Sequence, residues 1–359
     1  MSSSASSIEV SDGAERAAPR TDDFNFDLPS ELIAQTPAEP RDTARLLVLN
    51  RGSGGLDHRI FRELDQLLQP GDLLIGNRSR VWPARLVGRR SDTGGRVGAL
   101  LLRHTESGDW EALVRPARRL QPGTRVVFER AGCSVEVEIR ARLASGGRLL
   151  KVLGPPGTAD LLAVGETPLP PYIRGWSGDP ERYQTVYGDR PGSSAAPTAG
   201  LHFTPELFDR LVRRGIGFDF ITLHVGTDTF RPIRATMVDE HDMHAEWAEV
   251  PAKVLARVAE TRARGGKVVA VGTTAVRGLE SSAAAAPGDG WSGWTRLYIR
   301  PGYRFQLVDA LITNFHLPRS SLLLLVSALA GRERILSAYR EAVSRNYRFF
   351  SFGDAMLLY

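Results

Sequence analysis

Apolar positions in the second half of the chain recur at helical spacing, bounded by recognisable start and stop signals. Thr204 and Pro205 supply an N-cap and a proline at the first helical position, Leu207, Phe208 and Leu211 form one apolar face, and Gly215 ends the pattern. Pro251 to Arg264 repeats the scheme with Val254, Leu255 and Val258 inward and Gly265 and Gly266 as terminator, after which Val268 to Val271 reads as a buried strand. Leu322 to Ala330, the most apolar run, falls well short of the roughly 20 residues of a membrane span and predicts a buried helix start. Nearer the N-terminus, Ser30 caps a predicted short helix through Ile33, and Leu46 to Leu49 reads as a brief strand. The middle of the chain has period two: Val135, Val137 and Ile139 alternate with Glu136, Glu138 and Arg140, and other β-rich runs are broken at TGG (93–95), PG (122–123) and SGG (145–147). The pattern predicts an α/β fold in which an α/β domain of residues 21–77 plus 152–359 is interrupted by a small antiparallel β-barrel over 78–151. Residues 1–20, rich in Ser and Ala and without the apolar core of a signal peptide, read as a disordered tail.

Composition narrows the class: 359 residues, 42% hydrophobic and 24% charged, suit a folded protein large enough for two domains. Cys133 is the only cysteine, which rules out an internal disulfide and a Cys-x-x-Cys metal site and fits a reducing, cytoplasmic setting. The net charge of +5 is unevenly spread. Arg78 to Lys151 hold 16 Lys and Arg against 7 Asp and Glu, leaving 30 against 34 elsewhere. A basic β-barrel with exposed aromatics suits a polyanion, because each phosphate neutralised releases counterions. A solvated, arginine-rich surface accounts for the same surplus.

Candidate chemistry concentrates after residue 195, where five of the seven histidines fall. AAPTAGLHFT (195–204) and TNFHLPRSSLLLLVSA (313–328) each seat a histidine in a polar loop that runs into an apolar helix. His202 has the side chain suited to proton transfer near neutral pH, although a bond to a loop carbonyl also explains it. VVAVGTTAVRGLES (268–281) passes from a strand through Gly272, Thr273 and Thr274 into a helix carrying Arg277 and Glu280. Free N–H groups and two hydroxyls at a positive helix end suit a carboxylate or phosphate; a plain threonine cap is the alternative. His241, His244 and Glu246 have metal-ligand character, but no third ligand of recognisable spacing follows, so no metal is expected. Asp309 and Asn314 bracket a short strand, Ala310 to Thr313, leading into His316, and polar residues at strand ends face clefts in α/β folds. GPPGT (154–158) lacks the lysine and hydroxyl of a phosphate-cradling loop and reads as a turn, and no GxGxxG follows an N-terminal strand.

Longer strings say more than spacing. AAPTAGLHFT, TLHVGTDTF (222–230), MHAEW (243–247), VGTTAVRGLES (271–281), IRPGYRF (299–305), VDALITNFHLP (308–318) and YRFFSFGDAM (347–356) resemble the S-adenosylmethionine:tRNA ribosyltransferase-isomerase family of queuosine synthesis. The likeness extends to FDLPSELIAQTPAEPRDTARLLVL (26–49), GDLLIGNRSRVWPARL (71–86), PLPPYIR (168–174) and ERYQTVYG (181–188), hence to nearly the whole chain after the tail. It implies an α/β domain with an inserted barrel and a transferase that moves the ribosyl part of S-adenosylmethionine onto 7-aminomethyl-7-deazaguanine at the tRNA wobble position. Adenine and methionine leave and epoxyqueuosine forms. No separate cofactor or metal is implied, no membrane is involved, and the chain is expected to act as a monomer.

With that chemistry in view, His202, His224 and Asp309 are the expected bases for the proton beside the sulfonium and for the acceptor amine. His316 or Asn314 would assist departure of adenine. Thr273, Thr274 and Arg277 would hold the methionine carboxylate, Thr198 would contact substrate, and Arg85, Arg118, Arg119 and Arg348 would meet tRNA phosphates. The chain departs from the family pattern at Arg78 and Ser79, at Gly98 where a glutamate is usual, and at Asp228 where glycine is usual. A carboxylate at 228 fills space and adds charge in a loop that approaches a ligand. A relative using another acceptor, such as a free nucleoside, and a tRNA-binding relative without catalysis are the alternatives.

Overall fold

The computed structural model describes residues 19–105, 107–143, 146–154, 158–226, 232–284 and 289–359. In chain order its strands begin with β1 (Arg45–Leu49), β2 (Leu56–Ile60), β3 (Leu73–Asn77) and β4 (Ser79–Val81). Six more follow: β5 (Arg85–Arg90), β6 (Arg96–His104), β7 (Trp110–Arg115), β8 (Arg125–Arg130), β9 (Cys133–Arg142) and β10 (Arg148–Val152). The last seven are β11 (Arg190–Ser193), β12 (Gly217–Leu223), β13 (Glu246–Val250), β14 (Val268–Val271), β15 (Trp291–Thr295), β16 (Ala310–Asn314) and β17 (Ala355–Leu358). The helices are α1 (Leu64–Leu67), α2 (Thr158–Ala163), α3 (Pro205–Arg213), α4 (Ala252–Ala263), α5 (Thr273–Ser281), α6 (Ser321–Ala330) and α7 (Arg332–Ser344).

One sheet of nine strands, in the order β15-β13-β12-β3-β14-β16-β17-β1-β2, forms the α/β body. Its centre, β12-β3-β14-β16, is parallel. β3, β14 and β16 are buried at every residue, as strands covered on both faces must be. One apolar cluster packs α4, α5, α6 and α7 on one side of the sheet, and another packs α1 and α3 on the other. Between β3 and β12 the chain makes a closed antiparallel barrel in the order β10-β7-β6-β5-β8-β9, with its own core around Trp110, Phe128 and Val137. The alternation at Val135, Val137 and Ile139 faces that core. The fold class is therefore α/β with an inserted antiparallel barrel.

Local signals explain the helices. Thr204 Oγ1 accepts from the Leu207 N–H at 3.2 Å with Pro205 next in line, and Ser320 Oγ accepts from the Leu323 N–H at 3.2 Å to start α6. α4 buries Val254, Leu255 and Val258 as its spacing predicts. Two expectations are corrected. The helix read from Ser30 is a single 3-10 turn, Ser30–Leu32, without a side-chain cap bond. Of the tail read over 1–20, residues 1–18 lie outside the described residues, and the end is held: Val238 N donates to Pro19 O and Arg20 pairs with Met237. Most of GPPGT also lies outside the described residues.

Candidate active site: two clefts that share Val225

The carboxyl ends of β3, β14 and β16 open on the same side, and the loops that follow them build a narrow first cleft lined by Thr198, Thr273, Thr274, Asn314 and His316. α5 starts there. Gly272, at φ +92°, turns the chain from β14 into the helix in a conformation that glycine alone adopts cheaply. Neither Thr273 nor Thr274 caps the helix. Instead Thr274 Oγ1 accepts from Asn77 Nδ2 at 3.2 Å, and Asn77 Oδ1 accepts from the Leu223 N–H at 3.0 Å, locking the ends of β3 and β12 to the helix start. The first-turn N–H groups of α5 thus stay directed at the cleft that Gly272, Thr273 and Thr274 line.

Asn314, at the end of β16, organises the opposite wall. Its Oδ1 accepts from Thr198 Oγ1 at 2.9 Å, while its Nδ2 donates to Phe350 O at 3.1 Å and to His202 Nε2 at 3.3 Å. The carbonyl of Phe350 can only accept, so this network fixes the amide orientation and makes His202 Nε2 an acceptor. His202 stands behind Asn314, its ring 4.9 Å from that of Phe61, and does not line the cleft. Burial depresses its pKa to about 4, with Asp354 opposing the shift. His316 lines the cleft, pairs through Nε2 with Thr313 Oγ1 at 2.8 Å, and burial lowers it to about 3. Both imidazoles are neutral at pH 7.

The cleft also has an aromatic side that spacing did not reveal. Tyr172 and Phe350 stack at 4.7 Å and 28°, and the Tyr172 hydroxyl meets Ser351. Phe350 holds φ +71°, costly for a residue with a side chain and the kind of outlier that clusters at ligand sites. YRFFSFGDAM contains it, but nothing in the string announces a left-handed residue.

Beyond Val225, which lines both spaces, lies a second cleft between barrel and sheet, of about 490 Å³. Trp82, Arg103 and His104 come from the barrel side, and His224, Trp247 and Trp294 from the sheet. The His224 ring stacks on Trp247 at 5.5 Å and 19°; its Nδ1 is buried with no hydrogen-bond partner among the described residues. Burial lowers its pKa against the pull of Glu249. Gly192 passes so close that an added Cβ would lie 2.7 Å from the His224 ring, so the backbone fixes the imidazole. Glu246 completes the floor: Oε1 accepts from the Gly226 N–H at 2.9 Å and lies 3.3 Å from His244 Nε2, and Oε2 meets Arg277. Burial opposes its ionisation, but the bond from His244 and the charge of Arg277 prevail and hold the carboxyl below its usual range.

Several expected residues are placed elsewhere. Asp309 sits at the opposite end of β16 from Asn314, roughly 17 Å away at about 3.3 Å per residue, where it accepts from the Val268 N–H at 2.9 Å and faces Arg262. The strand runs away from it, so it is not brought to either cleft. Arg277 is spent on Glu246 and on the Leu297 carbonyl, with no guanidinium edge in the first cleft. Glu246 is likewise committed to that pair, and His241 packs edge-on against Tyr298. Arg348 donates to the carbonyl of Phe352 in its own loop and to that of Thr36 in the N-terminal segment. Arg85, Arg118 and Arg119 are exposed on the barrel. Arg148, counted in the basic surplus, is buried: it donates to Leu120 O at 2.7 Å and to Ala117 O, bracing the turn that carries Arg118 and Arg119. Arg78 pairs with Asp189, and a Cβ added at Gly98 meets nothing within 4 Å, so neither departure perturbs a cleft. Asp228 lies outside the described residues.

Fold and clefts together define an α/β enzyme with an inserted barrel. Residues 21–358 match the family described as queuosine biosynthesis protein, and the chain belongs to that family. It is 52% identical over 344 residues to the S-adenosylmethionine:tRNA ribosyltransferase-isomerase of Symbiobacterium thermophilum, covering 94% of this chain and 99% of the relative. The Thermotoga maritima protein of that name is 49% identical over 339 residues, with the same coverage. A crystal structure of S-adenosylmethionine tRNA ribosyltransferase from Thermotoga maritima aligns with a TM-score of 0.55 at 41% identity over 94% of this chain and all of that one. The resemblance carried by the long strings is borne out, and the chain is a transferase-isomerase of queuosine biosynthesis. Among the described residues no helix is long and apolar enough to cross a membrane.

Proposed function

We propose that the chain transfers and isomerises the ribosyl moiety of S-adenosylmethionine onto 7-aminomethyl-7-deazaguanine at the tRNA wobble position, giving epoxyqueuosine with release of adenine and methionine. The observation that carries this reading is the shared wall at Val225, which puts a small-molecule cleft beside an aromatic one. In the first cleft, the α5 N-terminus with Thr273 and Thr274 suits the methionine carboxylate, and the Tyr172 and Phe350 rings suit adenine. Asn314 and His316 stand where a leaving adenine would be hydrogen-bonded. In the second, His224 is half-buried and fixed, with its pKa lowered by burial, as suits a group that takes a proton from the acceptor ammonium. His202 acts through Asn314 as a positioning residue. The sulfonium itself acidifies the C–H that is deprotonated, so no separate cofactor or metal is called for. The names of the relatives support both substrates.

The test supplies S-adenosylmethionine and tRNA bearing the 7-aminomethyl-7-deazaguanine base, and follows adenine release and nucleoside mass together. Adenine is expected in step with the epoxyqueuosine mass, and Asn314→Ala is expected to lower turnover at least about a hundredfold. Adenine release without RNA modification would transfer the reading to another acceptor.

A further inference from the structure

Trp294 is the only Trp, Tyr or Phe that the described structure leaves exposed, at 60%. It lies on β15, the edge strand of the sheet, directly opposite Trp247 of β13. Directly opposed residues of an antiparallel pair project on one face. Trp247 in turn stacks on His224, whose backbone N–H donates to Trp247 O at 3.0 Å. Three rings therefore form a row from the end of β12 across β13 to β15, with His224 innermost beside Val225 and Trp294 at the rim.

Rings displayed on adjacent strands are how sheets hold single-stranded RNA, because every base offers a π-face. A nucleotide whose base is turned into a pocket leaves its neighbour unstacked on one side. The wall facing the row carries Arg103 paired with Glu111, and the barrel behind it holds the chain's whole cationic surplus, which favours a polyanion over a second copy of this positively charged chain. We propose that Trp294 stacks on the base of the nucleotide adjoining the acceptor nucleotide, so that the rim of the second cleft reads the RNA one base away from the reacting one. This rests on the acceptor reading of that cleft.

The experiment uses anticodon stem-loop RNA carrying the acceptor base, with 2-aminopurine placed on its 5′ or its 3′ side. Wild-type protein is expected to quench one of the two positions. Trp294→Ala is expected to abolish that quench and weaken RNA binding about tenfold or more, the loss of one base–aromatic stack, with S-adenosylmethionine binding unchanged. Trp294→Phe, which keeps a ring, should retain most of both. Equal binding and quench in Trp294→Ala would overturn the stacking while leaving the function standing. Sedimentation showing a dimer that Trp294→Ala dissolves would overturn it in favour of a second copy. Wild-type protein that leaves the RNA unmodified would overturn the acceptor reading, and the stacking with it.

Discussion

The two clefts are built on opposite principles. The first is closed by short polar bonds at the ends of buried parallel strands, where Asn77, Asn314 and Thr198 leave little freedom. The second is a gap between two separately packed cores, lined by rings and by Glu246, which the buried Arg277 backs. On the proposed function, the first cleft serves the donor and the wider, partly exposed second cleft the acceptor, a division that suits a reaction between a small sulfonium compound and a macromolecule. The first must hold reactive groups still, and the second must admit a base attached to a long chain.

Acid should separate them most sharply. His316 in the first cleft and His202 behind its Asn314 wall are buried neutral, with pKa values near 3 and 4 against about 6.5 in an unfolded chain. Between pH 6.5 and those values the unfolded state binds more protons than the folded one, so stability is fully present above 6.5 and falls as pH drops. The slope is about 1.4 kcal/mol per pH unit for each histidine. Denaturant melts between pH 7 and 4.5 should show it, and a His316→Gln variant should be flatter. A wild-type profile without slope below pH 6.5 would mean that the two imidazoles are solvated.

The second cleft should break through its floor. Glu246→Ala leaves the buried Arg277 guanidinium uncompensated and is expected to cost about 3–5 kcal/mol in thermal or denaturant unfolding. Replacing both partners by apolar side chains, Glu246→Leu with Arg277→Met, should recover much of that while RNA modification stays low. If the double variant is as unstable as the single one, packing and not charge governs this floor.

How far these sites were legible follows from which physics is local. Thr204, Pro205 and Gly215 mark α3 because caps act within one turn, and the barrel alternation survives because strand pleating has a fixed period. Asp309 misled because a strand has two polar ends and only the sheet decides which end meets the other loops. His202 was found in the right loop, but the bond that turns it toward Asn314 joins residues 112 apart. The second cleft was least legible, since His224, Trp247 and Trp294 meet Arg103 and His104 only after the barrel has folded back on the sheet. His244 and Glu246 carried a visible signal whose meaning, an anchor for Arg277, needed that tertiary context.

The smallest expected effect bears on the barrel surface. Arg118 and Arg119 are exposed on a turn that buried Arg148 braces, so their charges can change without disturbing the barrel core. If they neutralise RNA phosphates, the double variant Arg118→Gln with Arg119→Gln should weaken stem-loop binding uniformly across sequences. The slope of log affinity against log salt should become shallower by about 2, roughly one for each phosphate left without its arginine. Binding of S-adenosylmethionine should not move, because the first cleft draws no residue from the barrel. An unchanged salt slope would mark these two arginines as solvated surface and shift the electrostatic footprint to Arg103, which already lines the cleft that the ring row opens.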